Sequence, residues 1–402
     1  MSASLIDSPA AWKRLAISLG FCTFGSIGFW SYVVALPAVQ ASYGVTRAEA
    51  SLPYTVIMLS FGLGGLVMGW LMDRYGVMRP CLISAACIVA GYVLSALAPN
   101  MLAFTLSMGL LGFGASTSFA PLLSDISHWF LKRRGLAVTI VSSGNYIAGT
   151  IWPTIIQWAV EEHGWRNAHY ALAVISLIAL VPFSIALRAP PPHTPGGKAM
   201  PAPTRGTIAI PQKALLWVLV AAGFTCCAAM AMPQVHLVAY CADLGYGPAR
   251  GAQIVSMTLG LGIISRILSG ALADRIGGLL TLIIGSTMQA VALFLYTLFD
   301  GLSSIVLISA LFGLFQGGII PMYAVIVREY FPANKAGSYI GLVIMATVVG
   351  MGAGGWMSGV IFDWTGSYRA AFFNGAVWNL VNMSLVALII MRRRDAPAKP
   401  AL

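Results

Sequence analysis

Runs of about 20 consecutive apolar residues, long enough for a helix to cross the ~30 Å hydrocarbon layer of a membrane, recur along the whole chain. Twelve are present, at 14–38, 51–72, 79–98, 101–124, 134–159, 168–188, 213–240, 251–273, 279–299, 302–327, 335–362 and 369–391, called spans 1 to 12 below. With 58% hydrophobic and 9% charged residues and a mean hydropathy of +0.84, 402 residues carry more apolar surface than a soluble core would hide. Lipid is the expected solvent. The runs lack period-2 alternation and are rich in Gly, Ala and Leu, which predicts an all-α membrane protein with twelve transmembrane helices rather than a barrel.

The net charge of +11 does not mark a nucleic-acid surface, because the basic residues follow the loops instead of forming a patch. With the amino terminus placed inside, eighteen of the 23 Lys and Arg fall in inner segments and only Arg47, Arg166, Arg250 and Arg369 in outer ones. The positive-inside rule then predicts a multi-pass protein of the inner (plasma) membrane with both termini in the cytoplasm. Span 1 is too long for a cleaved signal peptide and is expected to stay as an anchor. The six cysteines form no CxxC pair and are read as small packing residues. No metal and no cofactor are expected.

A Pro-rich, basic stretch, "RAPPPHTPGGKAMPAPTRGTIAIPQK", separates spans 6 and 7 and is unsuited to a membrane helix. It predicts an N-terminal six-helix bundle over 1–188, a cytoplasmic linker over 189–212 and a C-terminal six-helix bundle over 213–402. A shift of about 201 residues lays Asp73-Arg74-Tyr75-Gly76 on Asp274-Arg275-Ile276-Gly277 and Trp129-Phe130 on Tyr330-Phe331. An internal repeat in a membrane chain points to a transporter whose halves rock about a central site.

The loop "GWLMDRYGVMR", Gly69 to Arg79, and its degenerate copy "GALADRIGG" after span 8 resemble the signature of the major facilitator superfamily. "WFLKRRGLAVTIVSSGNYIAG", "VHLVAYCADLGY", "PMYAVIVREYFP" and "GMGAGGWMSGVIFDWTGSYRAAF" are similar to its bacterial branch related to monocarboxylate transporters. An Asp-Arg-x-Gly run at a helix end offers a cap to a neighbouring helix and lets backbones approach. The resemblance implies more, namely that Asp73 and Arg74, with Asp274 and Arg275 in the second copy, gate the cytoplasmic side.

Arg266 is the basic residue that no loop accounts for. An Arg in a membrane helix costs ~2.5–3.5 kcal/mol on insertion scales, and eight residues before Asp274 is about 12 Å along the axis, too far to snorkel comfortably. The repeat supplies a control, since the equivalent position is Gly65, so the fold itself does not require the charge. All twelve acidic residues lie at or near helix ends or in loops, which makes a substrate anion the economical partner. A guanidinium matches a carboxylate fork for fork in a low-dielectric setting. Carbonyls and amides of neighbouring helices are the other reading. Relatives in the resembling branch place an Arg in helix 8 on the substrate carboxylate, which supports the first.

The resemblance also shows departures. Gly262 stands where animal relatives carry an Asp, span 1 has no basic residue after Arg14, and Met345 stands where an oxalate-exchanging relative has a second cation. One cation argues for one carboxylate. Asn145 in span 5 and Gln316 and Tyr323 in span 10 are candidates for substrate contact or for interhelical hydrogen bonding, while Trp30 and Phe119 either line an apolar wall or pack. His236 titrates near neutral pH and is the candidate proton carrier, with a plain hydrogen bond at the outer end of span 7 as the alternative. A substrate that brings its own proton would need no carrier.

No HExxH, Gly-x-Ser-x-Gly or paired membrane carboxylates are present, which argues against an enzyme. The expected function is a secondary transporter, by alternating access, of a small monocarboxylate, either lactate- or pyruvate-like or another apolar organic acid, coupled to protons. An organic-anion exchanger or exporter of the same superfamily is the alternative. The expected partners are a small organic anion, protons and the lipid bilayer, and a monomer is expected.

Overall fold

A computed structural model describes residues 5–190 and 207–394. Almost all of them are helical, in the order the apolar runs predict. Span 1 is Pro9–Gly25 followed by Ile27–Tyr43, span 2 Arg47–Tyr75, and span 3 Met78–Leu97. Span 4 is Met101–Ala115, a single 3-10 turn at Ser116–Ser118, and Ala120–Ser127. Span 7 is Gln212–Asp243, span 8 Pro248–Ile276, span 9 Gly278–Leu298, span 11 Ala333–Thr365 and span 12 Tyr368–Met391, while span 10 is Leu302–Gln316 followed by Ile319–Tyr330.

Spans 5 and 6 follow one another with no intervening loop. Arg134–Ser142 leads into Gly144–Ala186, a run that turns at Gly164, where φ is 79° and ψ is 156°. A side chain rarely adopts that backbone conformation, so the glycine lets the run turn there. Counting Arg134–Ala186 as one run gives eleven membrane-length helices among the described residues, and the turn at Gly164 makes them twelve crossings.

Of the expected linker, residues 191–206 lie outside the described residues. Its last part pairs with the segment after span 12: Thr207 and Ile208 form a two-residue antiparallel ladder with Arg394 and Arg393. Arg14, which the sequence places among the inner loop cations, is buried instead. Its guanidinium pairs with Asp125 at 3.0 Å, donates to the carbonyls of Leu187 and Ala189, and lies 5.0 Å from the Trp129 ring. These contacts join spans 1, 4 and 6.

Packing groups the chain into two compact units. One holds spans 1 to 6 with Gln234–Gly260 and Gly355–Gly366. The other holds span 7 as far as Pro233, Leu261–Gly354, and span 12 from Ser367. In the second unit span 11 lies directly on span 7, because a Cβ at Gly350 or Gly354 would meet the carbonyls of Phe224 or Ala228. Small residues let membrane helices approach to backbone contact, where dispersion is the main attraction available.

Candidate functional site

Two spans are interrupted at one register of the repeat. Span 4 leaves the α-helix at Ser116–Ser118, and span 10 stops at Gln316 and restarts at Ile319. Ser116 shifted by 201 residues is Gly317. A broken helix frees backbone N–H and C=O groups, which are tolerated at membrane depth only where protein or water satisfies them. Interruptions at corresponding positions of two repeats are the strongest backbone pointer to a transporter's binding region.

Arg266 stands beside the second break. It is eighteen residues beyond Pro248, the first residue of span 8, and only 7% exposed. Its Nε donates to the carbonyl of Gly317 at 3.3 Å. Glycine makes this possible, since a Cβ at Gly317 would fall on the backbone of Gly262 and one at Gly318 on the side chain of Ser269. The Gly318 N–H in turn donates to Ser265 Oγ at 3.3 Å. Spans 8 and 10 thus cross in backbone contact and bring a cation to a point where the helix ladder is open. Gln316, the last residue before the break, is fully buried.

Tyr323 lies on the second half of span 10. Its hydroxyl donates to Asn382 Oδ1 at 3.0 Å, Asn382 donates to Ser286 Oγ at 2.9 Å, and Asn379 donates to the Ser286 carbonyl at 2.6 Å. This buried network ties spans 9, 10 and 12 together.

In the first unit, Trp30 and Asn145 are paired. The indole N–H donates to Asn145 Oδ1 at 2.9 Å and to the Asn145 carbonyl at 3.1 Å. Asn145 is the second residue of Gly144–Ala186, just past the step at Ser143 where span 5 changes helix. Phe119 lies at the break of span 4, half-buried, with its ring centroid 6.2 Å from that of Phe61.

His236 is fully buried, with Nε2 2.8 Å from the Gly355 carbonyl and 3.5 Å from Ser51 Oγ. A carbonyl only accepts, so Nε2 carries the hydrogen. Around it lies a charged cluster that the sequence showed only as separate loop residues. Thr46 and Glu49 form a capping box that starts span 2 and sets Arg47 at its first position. Arg47 reaches Asp243 at the end of span 7, and the backbone N–H groups of Arg47 and Ala48 donate to the carboxylate of Asp363 on span 11 at 2.9 and 2.7 Å. This cluster sits where span 2 begins and where spans 7 and 11 end. At the opposite ends of spans 2 and 8, Asp73, Arg74, Asp274 and Arg275 are all exposed, and Arg74 lies 5.5 Å from the rings of Trp70 and Tyr75 on its own helix.

A family model described as Major Facilitator Superfamily matches residues 17–311 and 274–402. Monocarboxylate transporter 13 of Bos taurus is 28% identical over 375 residues, covering 90% of this chain and 84% of that protein. The uncharacterized MFS-type transporter YcxA of Bacillus subtilis is 27% identical over 354 residues, covering 83% of each. Among solved structures, a bacterial homolog of the human lysosomal transporter Spinster superimposes with a TM-score of 0.76 at 13% identity, over 97% of this chain and 99% of that one.

Proposed function

The chain belongs to the major facilitator superfamily, and from that premise we propose that it carries a small monocarboxylate through the membrane by alternating access, coupled to a proton. Its relatives and its fold are those of membrane transporters of small molecules, not of enzymes. The observation that carries the finer reading is Arg266: a guanidinium buried within a membrane span, placed at the backbone break of span 10, in the half of the repeat where the other half has Gly65. Burial at that depth is costly unless the charge is used, and a guanidinium in a low-dielectric setting suits a carboxylate. The name of the bovine relative supports the same substrate class.

In this reading Arg266 holds the carboxylate, Gln316, Trp30, Asn145 and Phe119 are the remaining candidates for substrate contact, and His236 carries the proton. Tyr323, whose hydroxyl is held by Asn382, is a further candidate for substrate contact. Asp73, Arg74, Asp274 and Arg275 gate the cytoplasmic side in a protein of the plasma membrane whose termini are cytoplasmic. The test is uptake into liposomes by the purified protein. Labelled lactate or a similar acid should enter faster when the outside is acidic, and flux indifferent both to a panel of mono- and dicarboxylates and to the pH gradient would overturn the proposal.

A further inference from the structure

We propose that the groove between spans 7 and 11 binds an anionic phospholipid of the bilayer, with an acyl chain along the groove and the phosphate at Lys213 and Lys335. Every part of this site lies within the second unit. It stands apart from the transport reading above, which requires no lipid partner.

The groove has a volume of about 410 Å³ and is walled by Trp217, Val220 and Phe224 on span 7 and by Leu342, Met345 and Val349 on span 11. Thr225 also lines it, but its hydroxyl donates to the carbonyls of Ala221 and Ala222 at 3.0 and 3.1 Å. Among the described residues, then, the wall offers a carried anion no donor, in contrast to the surroundings of Arg266. A hydrocarbon chain needs none. Trp217 is 62% exposed and Leu342 38%, so the groove is open along its length. Trp217 lies five residues inside the start of span 7 at Gln212, near the level where indoles gather at a membrane surface.

The mouth of the groove is positive. Lys213 is the second residue of span 7 and precedes Trp217 by one turn, while Lys335 is the third residue of span 11 and precedes Leu342 by two. At these spacings each lysine stands in line with its own wall of the groove. A Cβ at Gly350 would meet the Phe224 carbonyl and one at Gly354 the Ala228 carbonyl, a constant offset of 126 residues that sets Lys335 level with Ala209. The two lysines thus differ by only about 6 Å in height. Both are exposed, and among the described residues neither forms an ion pair. Neither helix has an acidic residue in its first turn. The macrodipole disfavours a cation and favours an anion at a helix start. Two adjoining starts with a lysine each therefore hold a surplus of positive charge that a phosphate neutralises.

The dimensions agree with one leaflet. From Lys213 to Phe224 is about 16 Å along the helix, close to half of the ~30 Å hydrocarbon layer. A phosphate held at the lysines leaves its acyl chain lying in the groove as far as the middle of the bilayer. Basic pockets between membrane helices recognise anionic head groups in this way. A free phosphate would use the mouth alone, and a neutral lipid or the tail of a carried acid the groove alone. An anionic phospholipid uses both.

The experiment is native mass spectrometry of the purified full-length protein in detergent, titrated with phosphatidylglycerol or with phosphatidylcholine of the same acyl chains. The first phosphatidylglycerol should bind at least tenfold more tightly than the first phosphatidylcholine, since each lysine near an anionic lipid is worth about fivefold. Lys213→Gln combined with Lys335→Gln should bring the two lipids to within about threefold of each other by weakening phosphatidylglycerol alone. Ala221→Trp places a large side chain in the groove and should weaken both lipids together. Should that variant fail to fold, the lysine pair, exposed on the surface, still decides the matter. A wild-type protein without preference, or a preference that survives loss of both lysines, overturns the proposal. So does displacement of the lipid by glycerol phosphate, which would make the mouth a site for free anions, or by octanoate, which would give the groove to the tail of a carried acid. Lipid binding is read without any transport, so a protein that moves no acid in liposomes would overturn the transport reading and leave this result standing.

Discussion

Nη2 of Arg47 lies 3.1 Å from both carboxylate oxygens of Asp243, across 196 residues of chain, with the guanidinium carbon 4.7 Å from the centre of the Phe362 ring. Arg47 is 7% exposed, and the Asp243 side chain is 34% exposed. Spans 2, 7 and 11 are tied at one end by a charged hydrogen bond, a cation–π contact and the cap that Asp363 places on span 2. A transporter that opens this end has to part those contacts. Arg47→Ala and Asp243→Asn should each loosen it by about 1.5–3 kcal/mol, the worth of a hydrogen bond to a charged group. Amide exchange measured by mass spectrometry should then quicken at least tenfold in 44–52 and 355–366 and stay unchanged in spans 9 and 12. Unchanged exchange in both segments would mean that the pair is not what holds this end.

The approach of span 11 to span 2 depends on Gly359, where a Cβ would come within 2.6 Å of the Arg47 carbonyl and of Ser51 Oγ. Gly359→Ala should cost about 1–3 kcal/mol by overpacking and lower the thermal unfolding temperature in detergent. Gly65→Ala is the matched control. Nothing lies within 4 Å of a Cβ there, and an alanine in an exposed helix should be neutral or stabilising by up to ~1 kcal/mol. Equal melting temperatures for the two variants would show that span 11 yields at Gly359.

The helices and their order were legible because lipid imposes a length and a polarity on each crossing, and both are local properties of sequence. Arg266 was legible for the same reason, as a charge inside an apolar run. The breaks in spans 4 and 10 were not, since Ser116-Thr117-Ser118 and Gly317-Gly318 scarcely alter hydropathy. Their common register shows only when the repeat is laid over the helix boundaries. Tyr323 illustrates a different limit. A hydroxyl in a membrane span needs a partner, but whether that partner is a substrate or Asn382 is decided by how spans 9, 10 and 12 pack. The Arg47 cluster joins residues as far as 316 apart, and no local pattern marks such a pairing.

Arg266 separates shape from charge. Arg266→Lys keeps the cation but loses the planar fork and the Nε–H that meets the Gly317 carbonyl. Substrate affinity, read by competition against a bound labelled acid, should fall at least tenfold, and Arg266→Ala should abolish it while the protein still inserts and elutes as a single species. Affinity in Arg266→Lys equal to that of wild type would mean that a point charge is enough, and full uptake by Arg266→Ala would remove this residue from the substrate site.

His236 distinguishes two routes for the proton. Its Nε2–H is engaged with the Gly355 carbonyl, so uptake of a proton falls to Nδ1 and makes the ring a cation within the cluster formed by Arg47, Asp243 and Asp363. His236→Gln retains an N–H for the same carbonyl but removes the titrating ring. If the histidine carries the proton, this variant should lose accumulation driven by an acidic exterior, while exchange of labelled for unlabelled acid at equal pH continues at close to the wild-type rate, since exchange moves no net proton. If the acid crosses with its own proton, both activities survive in the variant. The ratio of gradient-driven uptake to exchange, measured in one proteoliposome preparation, decides between the routes because a folding defect lowers both rates together.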